Sequence, residues 1–424
     1  MQRKNIAPGV KLFTHKTAQF KNSVVSLNII APLDKDTSAR ALLIHLLART
    51  CKDYPTIYEM NRKLASLYGA AISPSVKKIG EAQVLSLSLV CIDDRFSLNG
   101  ESVLNDATKL LLSCLFAPDI TPDGFRDENV QREKRLLIEK IDSEKDDKRI
   151  YSLNRMTEEM CRDEFYGTDR LGDKDSVSAL TGKELFKVWK DMLFNCPIQV
   201  NVTGSFEEDR TEKLIKDRFD ALSRKQEDII EVRTEFISES YDSKVITEKQ
   251  KVKQGKLVIG FRAGMTYEGD NFPALKMMTA IFGSGTFSKL FMNVREKMSL
   301  CYYCSASLVN HKGLIVVQSG VETENALKAL DAIRNELNEV RKGNFTDEII
   351  ENAKKSITDT LSSVDDSIMT LDHWMTSQST NGLFRTPESF IEEINAVSRE
   401  ERIIAATMVT EDTVFILESE KEEE

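Results

Sequence analysis

Arg295 and Tyr302 are the two residues whose types and spacing best suit the binding of a polar ligand. A helix that begins near Ser288 would carry Arg295 near its end, and Leu300–Tyr303 would begin a strand, so both side chains can converge on one pocket. An arginine offers several donors in a fixed geometry to a carboxylate or carbonyl, and a tyrosine hydroxyl can donate to a developing oxyanion. The same spacing also fits an ordinary helix–strand junction, which spacing alone favours.

A short turn, Gly283-Ser284-Gly285, lies just before this segment. Glycine allows the backbone to bend tightly and to approach another group closely. We therefore include Gly283, Ser284 and Gly285 with Arg295 and Tyr302 in one candidate binding element.

The histidines and the familiar catalytic motifs give no second site. Only His15, His45, His311 and His373 occur, and no two have the i, i+4 spacing of a metal-binding helix. No nucleophile elbow, phosphate-binding loop or dinucleotide-binding motif is present. We predict that these histidines are structural.

The chain has 7 cysteines, an odd number with irregular spacing. Cys301-x-x-Cys304 is the one close pair, but it falls in a strand-like run, where residues three apart point to opposite faces. We therefore interpret the cysteines as reduced structural thiols, typical of a cytosolic protein, rather than as a redox or zinc motif.

Apolar and alternating patterns predict the elements that position these residues in the first half of the chain. Val24–Ile30 is rich in β-branched residues and predicts a strand. Asp36 and Thr37 supply N-cap chemistry for an almost wholly apolar helix that reaches Thr50. Further strands are predicted at 10–14, 84–90 and 198–204, and further helices at 55–69, 101–116, 122–145, 149–164, 181–194 and 207–222.

The pattern restarts after a charged segment, 222–253, which has little apolar periodicity. Strands are predicted at 255–262, 301–307, 313–318 and 414–417, and helices at 272–282, 322–342, 346–363, 388–395 and 398–405. Each half runs as strand, helix, strands, several helices and a closing strand. This order indicates an internal duplication, with chance recurrence of a common order as the alternative.

We therefore predict an α+β fold with two tandem homologous domains, each a mainly antiparallel β-sheet packed with several α-helices. The predicted ranges are 1–225 for the first domain, 226–253 for a charged linker and 254–424 for the second domain.

Composition excludes several classes of function. The chain carries 58 basic and 68 acidic residues without a long basic run, so we expect no nucleic-acid partner. The longest apolar run, around 41–48, is far shorter than the ~18 residues that span a bilayer. No apolar segment follows Met1–Asn5, and we expect a cytoplasmic protein without membrane association.

The segment from Gly283 to Tyr303 resembles the glycine-rich loop and "SRLFxxIREKxGLAY" motif of pitrilysin/insulinase-type zinc metallopeptidases, in particular the processing-peptidase branch. The matching positions are Ser288, Leu290, Phe291, Arg295, Glu296, Lys297, Leu300 and Tyr302. The resemblance extends over nearly the whole chain and implies the family's metallopeptidase-like half-clamshell of two domains. It also implies that Arg295 and Tyr302 contact substrate.

The zinc motif of that family is degenerate in this chain. Active members carry H-x-x-E-H, whose histidines bind zinc and whose glutamate is the general base. The matching residues here are Ala41, Leu42, Leu43, Ile44 and His45. A third ligand, a glutamate on a later helix, aligns with Lys140, or with Glu139 after a shift of one residue. Catalytic zinc needs about three protein ligands, so we expect no metal and no catalytic residue in this chain.

Members of the processing-peptidase branch often work as pairs of similar chains, and this chain resembles the non-catalytic member of a bacterial pair. The resemblance implies a homologous partner with an intact H-x-x-E-H, which holds the zinc, and an extended peptide substrate that Arg295 and Tyr302 hold. A homodimer is possible in isolation. One alternative is a structural or peptide-binding scaffold without a role in proteolysis, and another is a self-sufficient peptidase with an unusual metal site.

Overall fold

A computed structural model describes residues 1–379 and 384–420, which divide into two compact units. The first unit comprises Met1–Asp142, Thr168–Arg233 and the described part of Val364–Gly382. The second comprises Ser143–Gly167, Thr234–Ser363 and the described parts of Leu383–Glu424. The predicted domains were continuous ranges, whereas each unit takes one segment from the other half of the sequence.

The first unit is built on a six-stranded sheet with the order β1-β2-β8-β3-β5-β4. Neighbouring strands are antiparallel except β2 and β8, which are parallel. The strands of this sheet are β1 (Gln2–Ala7), β2 (Val10–Lys16), β3 (Asn22–Pro32), β4 (Ala71–Ile79), β5 (Ala82–Ile92) and β8 (Ile198–Gly204). A separate two-stranded hairpin consists of β6 (Ile120–Thr121) and β7 (Gly124–Phe125).

The second unit contains a five-stranded sheet with the order β11-β12-β10-β13-β9. Only β13 and β9 are parallel. The strands are β9 (Lys244–Gln250), β10 (Gly255–Arg262), β11 (Cys301–Val309), β12 (Leu314–Val321) and β13 (Thr410–Ser419). This order repeats β2-β8-β3-β5-β4 of the first sheet, including the parallel pair, and the predicted α+β fold of two homologous parts is confirmed.

The described residues also form fourteen numbered α-helices and one π-helix, Leu290–Lys297. The α-helices are α1 (Thr37–Arg49), α2 (Ile57–Ser66), α3 (Val103–Phe116), α4 (Asp127–Asp146), α5 (Lys148–Met160), α6 (Lys174–Ala179), α7 (Gly182–Asn195), α8 (Glu208–Asp220), α9 (Phe272–Gly283), α10 (Ala326–Arg341), α11 (Asp347–Ser362), α12 (Ile368–Ser379), α13 (Pro387–Ala396) and α14 (Arg399–Thr407). None in this part of the chain is both long and apolar enough to cross a membrane.

Each sheet buries both of its faces. In the first unit, Val25, Leu27 and Ile29 of β3 belong to the same apolar cluster as the residues of α1 and α3. Because side chains alternate along a strand, Ser26 and Asn28 point to the other face, where Ser26 contacts Asp372 of α12. In the second unit α9 packs on one face, while Met156 and Met160 of α5 pack on the other against Val258 and Phe415.

Strand β9 lies within the segment predicted as a charged linker. Its residues alternate between exposed and half-buried positions, and none is fully buried. A strand at the edge of a sheet needs no continuous apolar face, and charged side chains there discourage pairing with other chains. The charge pattern that suggested a linker therefore belongs to an edge strand over 244–250.

Candidate functional site

The predicted Gly283-Ser284-Gly285 turn ends α9 against strand β11. A Cβ atom on Gly283 would lie 2.6 Å from the backbone nitrogen of Ala306, so only glycine allows this close approach. The Ser284 hydroxyl donates to the Ala306 carbonyl at 2.8 Å. Gly285 has φ +109°, in a region that favours glycine. The turn thus fixes where the following helix begins.

The segment after the turn forms the π-helix Leu290–Lys297 rather than a regular α-helix. Leu290 and Val294 are fully buried and anchor one side of it. Lys289, just before it, is buried and pairs with Glu336 at 3.1 Å. π-Helical turns are rare and often occur at functional sites, because they displace a side chain from its α-helical position. The predicted helix from Ser288 is therefore present with a different winding.

Arg295 lies near the end of the π-helix with its side chain 39% exposed. Its guanidinium carbon is 4.5 Å from the ring centroid of Phe291, and an Nη atom is 3.6 Å from a carboxylate oxygen of Glu296. An arginine stacked on an aromatic ring keeps its edge donors free to bind a planar acceptor. Arg295 is thus positioned but not enclosed.

Tyr302 lies at the start of β11 and is 60% exposed. Its hydroxyl donates to the Glu322 carboxylate at 2.5 Å. This hydrogen bond and the charge of Glu322 raise the pKa of Tyr302 above its usual value. The tyrosine therefore stays a neutral phenol at physiological pH, able to donate or to accept.

A β-bulge at the start of β11 sets the direction of the side chains of Cys301, Tyr302 and Cys304. Cys301 pairs with Val321 and Tyr303 pairs with Gly320, so Tyr302 is an extra residue without a partner on β12. Cross-strand partners share a face of the sheet. Cys301 therefore lies on the face of Val321, and Cys304, the partner of Ser319, lies on the same face.

The expectation that Cys301 and Cys304 point to opposite faces is therefore wrong. It assumed strict alternation, which the bulge interrupts. The Cys304 thiol hydrogen-bonds to the Cys301 sulfur. Arg295 is also close enough for its charge to lower the pKa of Cys301, which places the guanidinium near the start of β11.

The degenerate zinc-motif positions lie on α1, in the first unit. Ala41 and Ile44 are fully buried in the apolar core and offer no ligand atom. Burial, then the positive charges of Lys140 and Arg49, lower the pKa of His45 to about 4. The His45 Nε2 atom is buried without a hydrogen-bond partner.

The surroundings of His45 do not suit a metal ion. Lys140 of α4 contributes a positive charge there, whereas the exposed carboxylate of Glu139 lies 3.8 Å from Arg135. The buried Glu133 carboxylate pairs with Arg49 at 3.3 Å and with Arg132 at 3.2 Å. Within residues 1–379 and 384–420 no three His, Cys, Asp or Glu side chains are grouped to hold a metal. One histidine beside cations cannot serve as a catalytic zinc site.

Sequence reasoning gave no sign of Glu322 and led to the wrong faces for Cys301 and Cys304. Glu322 reaches Tyr302 because β11 and β12 form a hairpin, and a single glutamate at the end of a strand carries no signal of that contact. The cysteine pair depended on a bulge, which no glycine or proline at 301–304 marks.

The fold and the degenerate motif define a metallopeptidase-like protein, and comparisons identify its family. A family profile described as Peptidase M16 inactive domain matches residues 179–357. "Probable inactive metalloprotease YmfF" of Bacillus subtilis (strain 168) is 30% identical over 403 residues, which cover 95% of this chain and 94% of that relative. The chain therefore belongs to the M16 family of metallopeptidases, as the resemblance implied, and is an inactive member of it.

Solved structures agree in fold. A conserved protein from Enterococcus faecalis V583 is 26% identical, with a TM-score of 0.92 over 100% of this chain and 99% of that one. A peptidase M16 inactive domain from Pseudomonas fluorescens has a TM-score of 0.80 at 15% identity, over 99% and 98% of the two chains. The second likeness shows the fold alone.

Proposed function

We propose that this chain is the non-catalytic subunit of a zinc peptidase, in which it binds peptide substrate and completes the chamber formed with a homologous partner that has an intact H-x-x-E-H. The zinc and the general base belong to the partner in this proposal. In this proposal the chain supplies no catalytic residue to the cleavage and works in the cytoplasm, where proteins with free cysteines and no disulfide are common.

The observation that carries the proposal is a contrast between the two units. The zinc-motif positions at Ala41, Ile44 and His45 hold one neutral imidazole beside Lys140. Arg295 and Tyr302, in contrast, are accessible and are each held by a neighbouring side chain. A chain kept only as a scaffold has no need of a positioned arginine and tyrosine. We propose that Lys140, not Glu139, stands in the third-ligand position.

Arg295 would bind a carbonyl or carboxylate of an extended peptide through its free donors. Tyr302, as a neutral phenol, would donate to a peptide carbonyl or accept from a peptide amide. The turn at 283–285 would let the peptide backbone pass close to the chain, since Gly285 has no side chain. These contacts orient the peptide, and the bond cleavage itself is left to the partner.

The alternative is a structural or peptide-binding scaffold with no role in proteolysis. Loss of the zinc ligands fits both functions equally well. The arrangement of Arg295 and Tyr302 favours the first, because these side chains are accessible and close to the same strand end.

Binding of a fluorescein-labelled pool of random-sequence peptides, measured by polarisation, tests the proposed site directly. Loss of one charge-assisted hydrogen bond costs about 1.5–3 kcal/mol, so Arg295→Ala with Tyr302→Phe should weaken binding by about 10- to 100-fold. A matched control exists. Arg233 is an exposed arginine paired with Glu231, and Tyr241 is an exposed tyrosine that donates to Glu239.

Arg233→Ala with Tyr241→Phe removes the same groups from another surface and should leave peptide affinity unchanged. Equal affinity of the wild-type chain and the Arg295→Ala, Tyr302→Phe variant would refute the proposed peptide site. An equal loss in both double variants would show that surface charge, and not this site, governs binding.

A further inference from the structure

The two cysteines on the bulged face of β11 differ sharply in their surroundings. Cys301 is half-buried, whereas Cys304 is only 4% exposed. The hydrogen bond from the Cys304 thiol, the nearby Ser319 hydroxyl and the charge of Arg295 together outweigh burial and lower the pKa of Cys301 to about 7. Hydrogen bonding to Cys301 and burial raise the pKa of Cys304 well above its usual value.

This asymmetry is the arrangement that a reactive dithiol requires. A thiolate is the nucleophile in thiol oxidation, and reactive cysteines are accessible and lie beside positive charge. A second thiol within contact distance can then resolve the first oxidation product. Here Cys301 is half-buried beside Arg295, and Cys304 is buried on the same face of β11.

We propose that Cys301 and Cys304 form a redox-active dithiol, in which Cys301 reacts with a hydroperoxide and Cys304 resolves the product to a disulfide. The Cys301 thiolate attacks one oxygen of the hydroperoxide and breaks the O–O bond. With one proton taken up, this step yields the sulfenic acid of Cys301 and an alcohol, or water from hydrogen peroxide.

The second step forms the S–S bond. The Cys304 sulfur attacks the Cys301 sulfur, the S–O bond breaks, and the hydroxyl leaves as water with the proton of the Cys304 thiol. The two thiols have lost two electrons and two protons in total, and the hydroperoxide has been reduced by the same two electrons.

A disulfide at this position would act on Tyr302, because Tyr302 is the extra residue of the bulge between the two cysteines. A disulfide would restrict the distance between the backbones of the two cysteines, and through the bulge it would alter the direction of the tyrosine. The dithiol is therefore placed to switch the candidate peptide site. This consequence rests on the function proposed above, whereas the oxidation chemistry does not.

The chain offers an internal control for reactivity. Cys51 and Cys114 also hydrogen-bond to each other, but both side chains are fully buried. Like Cys301 and Cys304, these two cysteines interact with each other, but neither is accessible to solvent. Oxidation that depends on access should therefore spare them.

The experiment treats the full-length chain with stoichiometric hydrogen peroxide and maps each cysteine by differential alkylation and mass spectrometry. We expect loss of two hydrogen atoms confined to the peptide containing Cys301 and Cys304, while Cys51 and Cys114 remain alkylatable after unfolding. In Cys304→Ser, dimedone should trap a sulfenic acid on Cys301. In Cys301→Ser, the same treatment should leave Cys304 reduced.

Oxidation spread over the other cysteines, or reaction of Cys301 no faster than that of glutathione, would overturn the dithiol proposal. The mapping of the wild-type chain is decisive even if a variant fails to fold. Peptide affinity is then compared before and after oxidation in wild type and Cys304→Ser. A change in affinity confined to wild type supports the switch, and a disulfide that leaves affinity unchanged overturns the switch alone.

Discussion

At the scale of single residues, the passage of the chain from the π-helix into β11 brings the candidate binding residues together. Arg295, Ser299, Cys301 and Tyr302 lie within eight positions of sequence and each has an unusual setting. The Arg295 guanidinium stacks on the Phe291 ring, and Ser299 adopts a positive φ. The Cys301 thiol lies near the Arg295 guanidinium, and Tyr302 is the extra residue of the β-bulge. Each setting gives a measurable consequence.

The reactivity of Cys301 should depend on pH and on the charge of Arg295. The rate of alkylation by iodoacetamide should rise with a midpoint near the pKa of about 7, well below the ordinary ~8.5 of a free thiol. Arg295→Ala removes one of the groups that lower this pKa, so its midpoint should move upward. Arg295→Lys keeps the charge and is the control. A midpoint that is identical in Arg295→Ala and wild type would contradict the proximity of Arg295 and Cys301.

Ser299 adopts φ +52°, which L-residues other than glycine rarely do. The left-handed conformation costs a residue with a side chain about 1–2 kcal/mol, and the greater unfolded-state freedom of glycine offsets about 0.5–1 kcal/mol of that. Ser299→Gly should therefore raise the free energy of unfolding by about 0.5–1 kcal/mol, measured by urea denaturation. Ser307→Gly is the control and should lower the free energy of unfolding, because glycine in the interior of a strand such as β11 weakens it. A destabilised Ser299→Gly variant would argue against this backbone conformation.

At the scale of elements, helices and strands that are buried in the core can be predicted from their apolar patterns. Edge strands and helices that pack through polar side chains lack such a pattern and are missed. The almost wholly apolar α1 and the strand β3 are recognisable because burial on all sides leaves a continuous apolar run. Strand β4 contains Pro74 and escapes prediction, because an edge strand tolerates proline. The helix and the strand of the candidate binding element were predicted from the sequence, but the π-winding and the bulge depend on packing against α9 and β12.

Helix α12 was missed because it packs on the first sheet through polar groups. The Asp372 carboxylate accepts from the Ser26 hydroxyl at 2.6 Å and from the Asn201 amide at 3.0 Å. Burial raises the pKa of Asp372, and the hydrogen bonds and the charge of Lys77 only partly oppose it. A helix that buries an aspartate lacks the apolar stripe by which amphipathic helices are recognised.

The raised pKa of Asp372 makes its contribution to stability depend on pH. A carboxyl with a higher pKa in the folded state binds its proton more tightly there, so its contribution is most favourable at low pH. That contribution declines as pH rises above the unfolded value of about 3.9. Asp372→Asn keeps an oxygen acceptor and removes the ionisation. The stability of the variant relative to wild type should therefore be greater at pH 7 than at pH 4 in urea titrations. The opposite trend would refute the raised pKa.

Buried ion pairs between side chains connect the second sheet to the segment at 143–167. The Glu164 carboxylate accepts from Arg262 at 2.7 Å and from Lys312 at 2.5 Å, and Arg262 also donates to Asp412 at 2.8 Å. Burial raises the pKa of Glu164, but the hydrogen bonds from Arg262 and Lys312 outweigh it and hold that pKa below its usual range.

Glu164→Gln should cost about 3–5 kcal/mol in the free energy of unfolding, because it removes the carboxylate charge that pairs with the buried cations of Arg262 and Lys312. Urea denaturation of the second unit's signal measures this change. Glu139→Gln breaks the exposed pair with Arg135 and should change stability by less than about 1 kcal/mol. Similar effects of the two substitutions would contradict the role assigned to the buried network.

At the scale of the whole molecule, one ancestral arrangement is present twice and has diverged in chemistry. The strand order of the second sheet repeats that of the first, including the parallel pair. In the copy that carries the predicted zinc-motif positions, His45 lies beside the positive charges of Lys140 and Arg49, and the described residues there form no metal-binding group. The other copy presents Arg295 and Tyr302. Membership of the M16 family explains the architecture, and we propose that a catalytic partner explains the retained side chains.

The partner can be sought as a homologous chain with an intact H-x-x-E-H encoded in the same genome, then produced together with this one. The most direct measurement is kcat/KM of the assembled pair on a quenched fluorescent peptide. With assembly and the partner's zinc content unchanged, Arg295→Ala plus Tyr302→Phe should lower kcat/KM by about 10- to 100-fold, while Arg233→Ala plus Tyr241→Phe should not. Full activity of the Arg295→Ala, Tyr302→Phe pair, or equal activity of the partner alone, would contradict the account.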